Sequence, residues 1–90
     1  MEKCWKPMKF GKEWGPEWRR KSKGGTEFIR VMFDDELDEP SWIVSKGYVK
    51  KEGKIDSYTV WDSDIVGNEK KYATALARER IEKHGGLCKR

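Results

Sequence analysis

Aromatic and cationic side chains are interleaved through the N-terminal region of this chain: Trp5-Lys6, Lys9-Phe10, Trp14, then Trp18-Arg19-Arg20-Lys21. That combination suits one kind of chemistry. Cations neutralise phosphates, and flat rings stack on unpaired bases or wedge between base pairs. A second set, Lys46, Tyr48, Lys50, Lys51 and Lys54, falls around an expected hairpin, with Tyr58 on the returning strand. A basic two-stranded ribbon of this kind can enter a major groove. The candidate nucleic-acid contacts are therefore Arg19, Arg20, Lys21, Lys46, Lys50, Lys51 and Lys54 for phosphates, and Trp14, Trp18 and Tyr48 for stacking. The same residues also have a purely structural reading. Lysines defend sheet edges against aggregation, and tryptophans fill the core of a chain poor in Leu and Ile; Trp42 and Trp61 are assigned to that core.

An acidic run, Asp34, Asp35, Glu36, Asp38 and Glu39, offers a different chemistry: docking on a basic surface of a partner protein. It lacks the spacing and the glycine of an EF-hand loop, so no metal is expected there. Asp62-Ser63-Asp64 suits a turn before a helix. The one histidine, His84, falls at the end of a helix, where a protonated imidazole is favoured. With one histidine and no glycine-rich phosphate loop, no catalytic constellation assembles, and neither a catalytic residue nor a cofactor is expected. Two cysteines, Cys4 and Cys88, cannot make a zinc site with one histidine. They are read as free thiols, although chain ends that lie close would allow them to pair.

Charge is distributed as a patchwork. The net charge is +4, yet residues 1–25 hold eight Lys or Arg against three acids, and residues 26–45 hold six acids against Arg30. Hydrophobic residues make up 36% and charged residues 40% of the chain, so the core must be small and each apolar residue in it well used. The start of the sequence has no apolar stretch, and no run is long enough to cross a membrane. A cytoplasmic location without membrane contact is the resulting expectation, with the oligomeric state open.

These residues need elements to position them. Gly11, Gly15, Pro16, Gly24 and Gly25 break up residues 1–25, which read as an irregular, basic, Trp-rich arm with one short helix over 16–22 and a linker over 21–25. Residues 26–33 alternate as a strand, with Ile29, Val31 and Phe33 on one face. After the acidic loop comes a strand over 41–50, in which Gly47 marks a bulge. Gly53 supplies the positive φ of a hairpin turn, and residues 54–62 return. Residues 62–68 read as a loop, with Asn68 as helix N-cap. Residues 69–84 carry an apolar stripe of Tyr72, Ala73, Leu76, Ala77 and Ile81, ended by Gly85-Gly86.

The fold class is therefore α+β: a three-stranded antiparallel sheet with one C-terminal helix packed on one face, in a single domain over 26–90 preceded by the arm over 1–25. Strand-strand-strand-helix order over about residues 26–86 resembles the small DNA-binding domains of plant AP2 factors and integrase arm-binding modules. That resemblance rests on element order and carries over no residues. In composition the chain also resembles bacteriophage accessory proteins. The reading that follows is a small, non-enzymatic nucleic-acid-binding protein of regulatory or accessory role, binding DNA or RNA. The alternative is a protein-interaction or inhibitor module acting through the acidic loop and exposed tryptophans.

Overall fold

A computed structural model of the protein describes residues 3–8 and 15–88. Five strands form one antiparallel meander: β1 (Lys6–Met8), β2 (Glu17–Ser22), β3 (Gly25–Asp34), β4 (Ser41–Glu52) and β5 (Ile55–Gly67), in spatial order β1-β2-β3-β4-β5. One helix, α1 (Lys70–Lys83), follows and packs on one face. The α+β class and the meander order agree with the sequence reading; the strand count does not. The expected arm supplies two further strands, so the sheet has five rather than three.

The helix expected over 16–22 is strand β2. It pairs with β3 along its whole length, from Glu17 opposite Arg30 to Ser22 opposite Gly25. Pro16 takes part before the strand begins, its carbonyl accepting a bond from Val31 N at 2.8 Å. Six residues are too few to distinguish helical from strand periodicity, and pairing decided the matter. The expected linker is a tight turn, with Gly24 at φ 85°. The loop expected over 62–68 is also strand: β5 continues to Gly67. Asn68 does not cap the helix; Glu69 occupies that position without a side-chain capping bond.

Cross-strand partners share a face, so the register sorts the sheet. On the helix face lie Trp18, Ile29, Val31 and Val44, buried with Ala73, Ala77 and Ile81 of α1. The two alanines carry little side-chain bulk, so the helix seats close to the strands. Trp5 completes this core with no exposed surface. Phe33, which the alternation placed on the face of Ile29 and Val31, is exposed, as are Val60, Tyr72 of the expected apolar stripe, and Trp61. The opposite, helix-free face has a small cluster of its own. Phe28 is fully buried there beneath the edge of Tyr58 at 5.2 Å, with the Arg30 guanidinium 5.4 Å from its ring. Its ring lies over Gly47, where a Cβ would run into both Phe28 and the Thr59 carbonyl.

The chain ends are clasped together. Trp5 donates from its backbone N to the Gly86 carbonyl at 2.8 Å and accepts from Cys88 N at 2.9 Å. Its indole N–H donates to the His84 carbonyl at 3.1 Å. Cys4 and Cys88 form a disulfide, which corrects the free-thiol expectation. The pairing follows from this clasp, which brings two cysteines 84 residues apart in sequence to a Cα–Cα distance of 4.8 Å. Gly85, at φ 114°, lies against the Lys3 carbonyl with no room for a Cβ.

A crosslink closing so long a loop restricts the unfolded chain strongly. Reduction is expected to lower stability by about 2–5 kcal/mol, read as a fall in the urea midpoint with dithiothreitol; an unchanged midpoint would show the clasp to be self-sufficient. Gly47→Ala should cost about 1–3 kcal/mol because Phe28 and the β5 backbone must move. Equal midpoints for the variant and the parent would contradict that packing.

Candidate nucleic-acid interface

Beyond the C-terminal end of α1, the helix face of the sheet continues as an uncovered surface. Its centre is Tyr48 on β4. The register places Arg20, Glu27, Tyr48 and Thr59 in one cross-strand row, with Lys46 and Lys50 two residues to either side of Tyr48 on the same face. Tyr48 is tied down by its hydroxyl, which donates to the Gly24 carbonyl in the β2–β3 turn. Gly25 is needed for this approach, because a Cβ there would overlap the phenol ring.

Trp61 lies against Tyr48, with ring centroids 6.0 Å apart and planes 24° from parallel. A bulge puts it there. Between Lys46 and Gly47 on β4, the partner register jumps from Asp62 to Val60, leaving Trp61 as the extra residue of β5. Trp61 is 55% exposed, which removes it from the core to which the sequence assigned it. The clue was present: Val60-Trp61 breaks the two-residue alternation beside the glycine that marks the bulge.

The other expected contacts are scattered. Trp14 lies outside the described residues. Trp18 is only 6% exposed, so its ring is core and has no free face for a base. Arg19 projects from the helix-free face, bonded to Glu17 at 2.5 Å and to the Tyr58 hydroxyl at 2.5 Å. Arg20 is a structural clamp on the helix face. Its guanidinium bonds Glu27 at 2.5 Å and the Lys3 carbonyl at 2.9 Å, donates to the His84 carbonyl, and covers the Trp5 ring at 4.3 Å. Lys21 is exposed on β2, and Lys50, Lys51 and Lys54 are exposed around the β4–β5 turn, whose Gly53 has the expected positive φ. Arg19, Arg20 and Lys21 also border a depression of about 250 Å³ with Lys6, Met8 and Thr26.

The acidic residues occupy the opposite end of the sheet. Asp34 closes β3, and its carboxylate accepts a bond from Glu36 N at 2.9 Å. Asp35, Glu36, Asp38 and Glu39 form the exposed or half-buried connection to β4. Tyr48 lies seven residue steps along the strand from Ser41, roughly 23 Å at the rise of an extended chain. Among the described residues, no group of His, Cys, Asp and Glu could hold a metal ion.

His84 reports the electrostatics of the uncovered surface. Its imidazole is held below the ordinary 6.5, first by Lys46, then by burial and by Arg20, with Lys83 adding to the effect and Glu27 opposing it. The expectation that the helix end would favour its protonated form is therefore reversed: the surrounding cations outweigh the helix terminus. In physical terms the surface joins a pair of stacked rings to the cations Lys46 and Lys50, with Asp62 opposite Lys46 on the same face. Such a surface can seat a flat aromatic group beside an anion.

As the chain's single histidine, His84 gives one imidazole titration in an NMR spectrum. Its midpoint should lie below 6.5, and Lys46→Ala should move it upward. Because the folded value lies below the unfolded one, the linked stability is present above about pH 6.5 and is lost as the pH falls through the lowered folded value. A midpoint at or above 6.5 would remove the positive potential from the argument. Comparison of the chain with protein-family models, with curated proteins and with solved structures gives no match.

Proposed function

We propose that this protein is a non-enzymatic nucleic-acid-binding module that stacks unpaired bases on the Tyr48–Trp61 pair and holds phosphates with Lys46, Lys50, Lys51 and Lys54. One observation carries the reading: a tryptophan more than half exposed, nearly parallel to a tyrosine, on the same face as two lysines. Leaving an indole in water forgoes a large burial gain, which a chain with so few apolar residues would otherwise use in its core. Base stacking is insensitive to sequence, because every base has a π face, so recognition would be by strand form. The basic turn lies within reach of the backbone phosphates flanking a stacked base. Arg19 and Arg20 drop out as primary phosphate ligands because their guanidiniums are engaged within the protein. DNA and RNA both fit this description, and the role would be regulatory or accessory.

Titration of labelled oligonucleotides tests the proposal. Single strands should bind more tightly than duplex, quench tryptophan emission, and lose affinity steeply between about 50 and 200 mM salt. Trp61→Ala should weaken binding by about 1–3 kcal/mol, the value of one stacked base, with little change in melting temperature because the ring is exposed. Lys46→Ala with Lys50→Ala should flatten the salt dependence by about two phosphate contacts. Salt-independent binding, or full affinity in Trp61→Ala, would refute the platform.

A further inference from the structure

The sheet has two edges, and they are protected very differently. The β1 edge is three residues long and carries Lys6 and Pro7, both of which discourage strand addition. The β5 edge is thirteen residues long, pairs among the described residues only with β4, and contains no Lys, Arg or Pro. It exposes Ile55, Val60, Trp61 and Ile65 at 72%, 48%, 55% and 66%. Such exposure on an edge strand normally marks a pairing site. These residues occupy both faces. Val60 lies opposite Gly47 and Ile65 opposite Ile43 on the helix-free side, whereas Ile55 and Trp61 lie on the helix side with Tyr48. A single extended segment laid beside β5 would therefore cover apolar surface on both faces while satisfying the free edge of the backbone.

The charges decide what the segment is. Every charged residue of β5 is an aspartate: Asp56, Asp62 and Asp64. Arg80 binds Asp64 closely and stands 3.8 Å from Asp62, which also has Lys46 opposite it, and Arg19 stands 3.6 Å from Asp56, which has Lys51 opposite it; the three carboxylates nonetheless stay 42%, 65% and 40% exposed along the edge strand. A second copy of the chain pairing β5 with β5 in parallel register, or antiparallel about Thr59 or Val60, would bring aspartate against aspartate, which is unfavourable. We infer that β5 is a strand-addition site for an extended segment of a partner protein in which apolar residues alternate with Lys or Arg. Main-chain hydrogen bonds would supply the affinity, and the aspartates and apolar side chains would supply the selectivity.

Calorimetric titration with a synthetic peptide of about ten residues alternating Val and Lys tests this inference. The peptide should bind, and its Val–Glu counterpart should bind roughly tenfold more weakly or not at all. A Val–Lys peptide N-methylated at every residue keeps its side chains and charge but loses the donors of both edges; it should not bind. Asp62→Lys, on the helix face with Asp64, should weaken the Val–Lys peptide and improve the Val–Glu peptide, with circular dichroism showing the fold intact. Lys50→Ala should leave peptide affinity unchanged while weakening oligonucleotide binding, so this result stands apart from that reading; Tyr48 and Trp61, which pack together on a surface common to both, are left in place. Absence of Val–Lys binding, equal binding by the N-methylated peptide, or a dimer in sedimentation that occupies the β5 edge would overturn the inference.

Discussion

The burial of Trp5 under the end of α1 is the contact on which the architecture turns. The chain has few aliphatic residues, and a single helix that meets the sheet through alanines leaves space at its C-terminal end. Trp5 fills it, fully buried, with its backbone paired to Gly86 and Cys88 and its ring capped by Arg20. An indole of this size is worth about 3–5 kcal/mol against truncation to alanine, a large part of the stability of a small domain. The consequences spread outward. Holding Trp5 fixes both chain ends, which sets the geometry of the disulfide. It also engages Arg20, whose remaining bonds to Glu27 and the His84 carbonyl tie the helix end to the sheet.

A single irregularity in the sheet links packing to the proposed surface. Gly47 has no side chain because Phe28 takes that space on the helix-free face. The same position is where β5 bulges, and the extra residue of the bulge is Trp61. The strand thus changes its alternation at the point where a large ring is turned out beside Tyr48. Glycine, bulge and exposed indole form one structural unit, and the basic hairpin beyond it extends the surface with lysines.

Charge is separated along the sheet in a way that composition conceals. The acidic connection between β3 and β4 lies at one end, and Lys50, Lys51 and Lys54 lie at the other. Arg19 and Arg20, adjacent in sequence, project to opposite faces and are each consumed by a glutamate of the sheet. A net charge of +4 therefore says less about binding than the few cations that keep their heads in solvent around His84 and the β4–β5 turn.

The sequence by itself determined the elements that rest on local rules. Alternation in residues 26–33, the turn glycine Gly53, the bulge glycine Gly47, and the alanine and isoleucine stripe ended by Gly85-Gly86 each express a backbone or periodic preference that acts within a few residues. Tertiary structure decided the rest. Residues 17–22 became a strand because β3 offered a pairing edge. Trp5 and Trp18 went inward and Trp61 outward because residues distant in sequence, α1 and the bulge opposite Gly47, set which side of each ring was covered. Cys4 and Cys88 met because Trp5 and Gly86 pair, a contact between the two ends of the chain. Burial and charge pairing are properties of neighbours in space, so a basic-aromatic pattern could announce its chemistry in one dimension while only the folded sheet selected which rings and cations remain available.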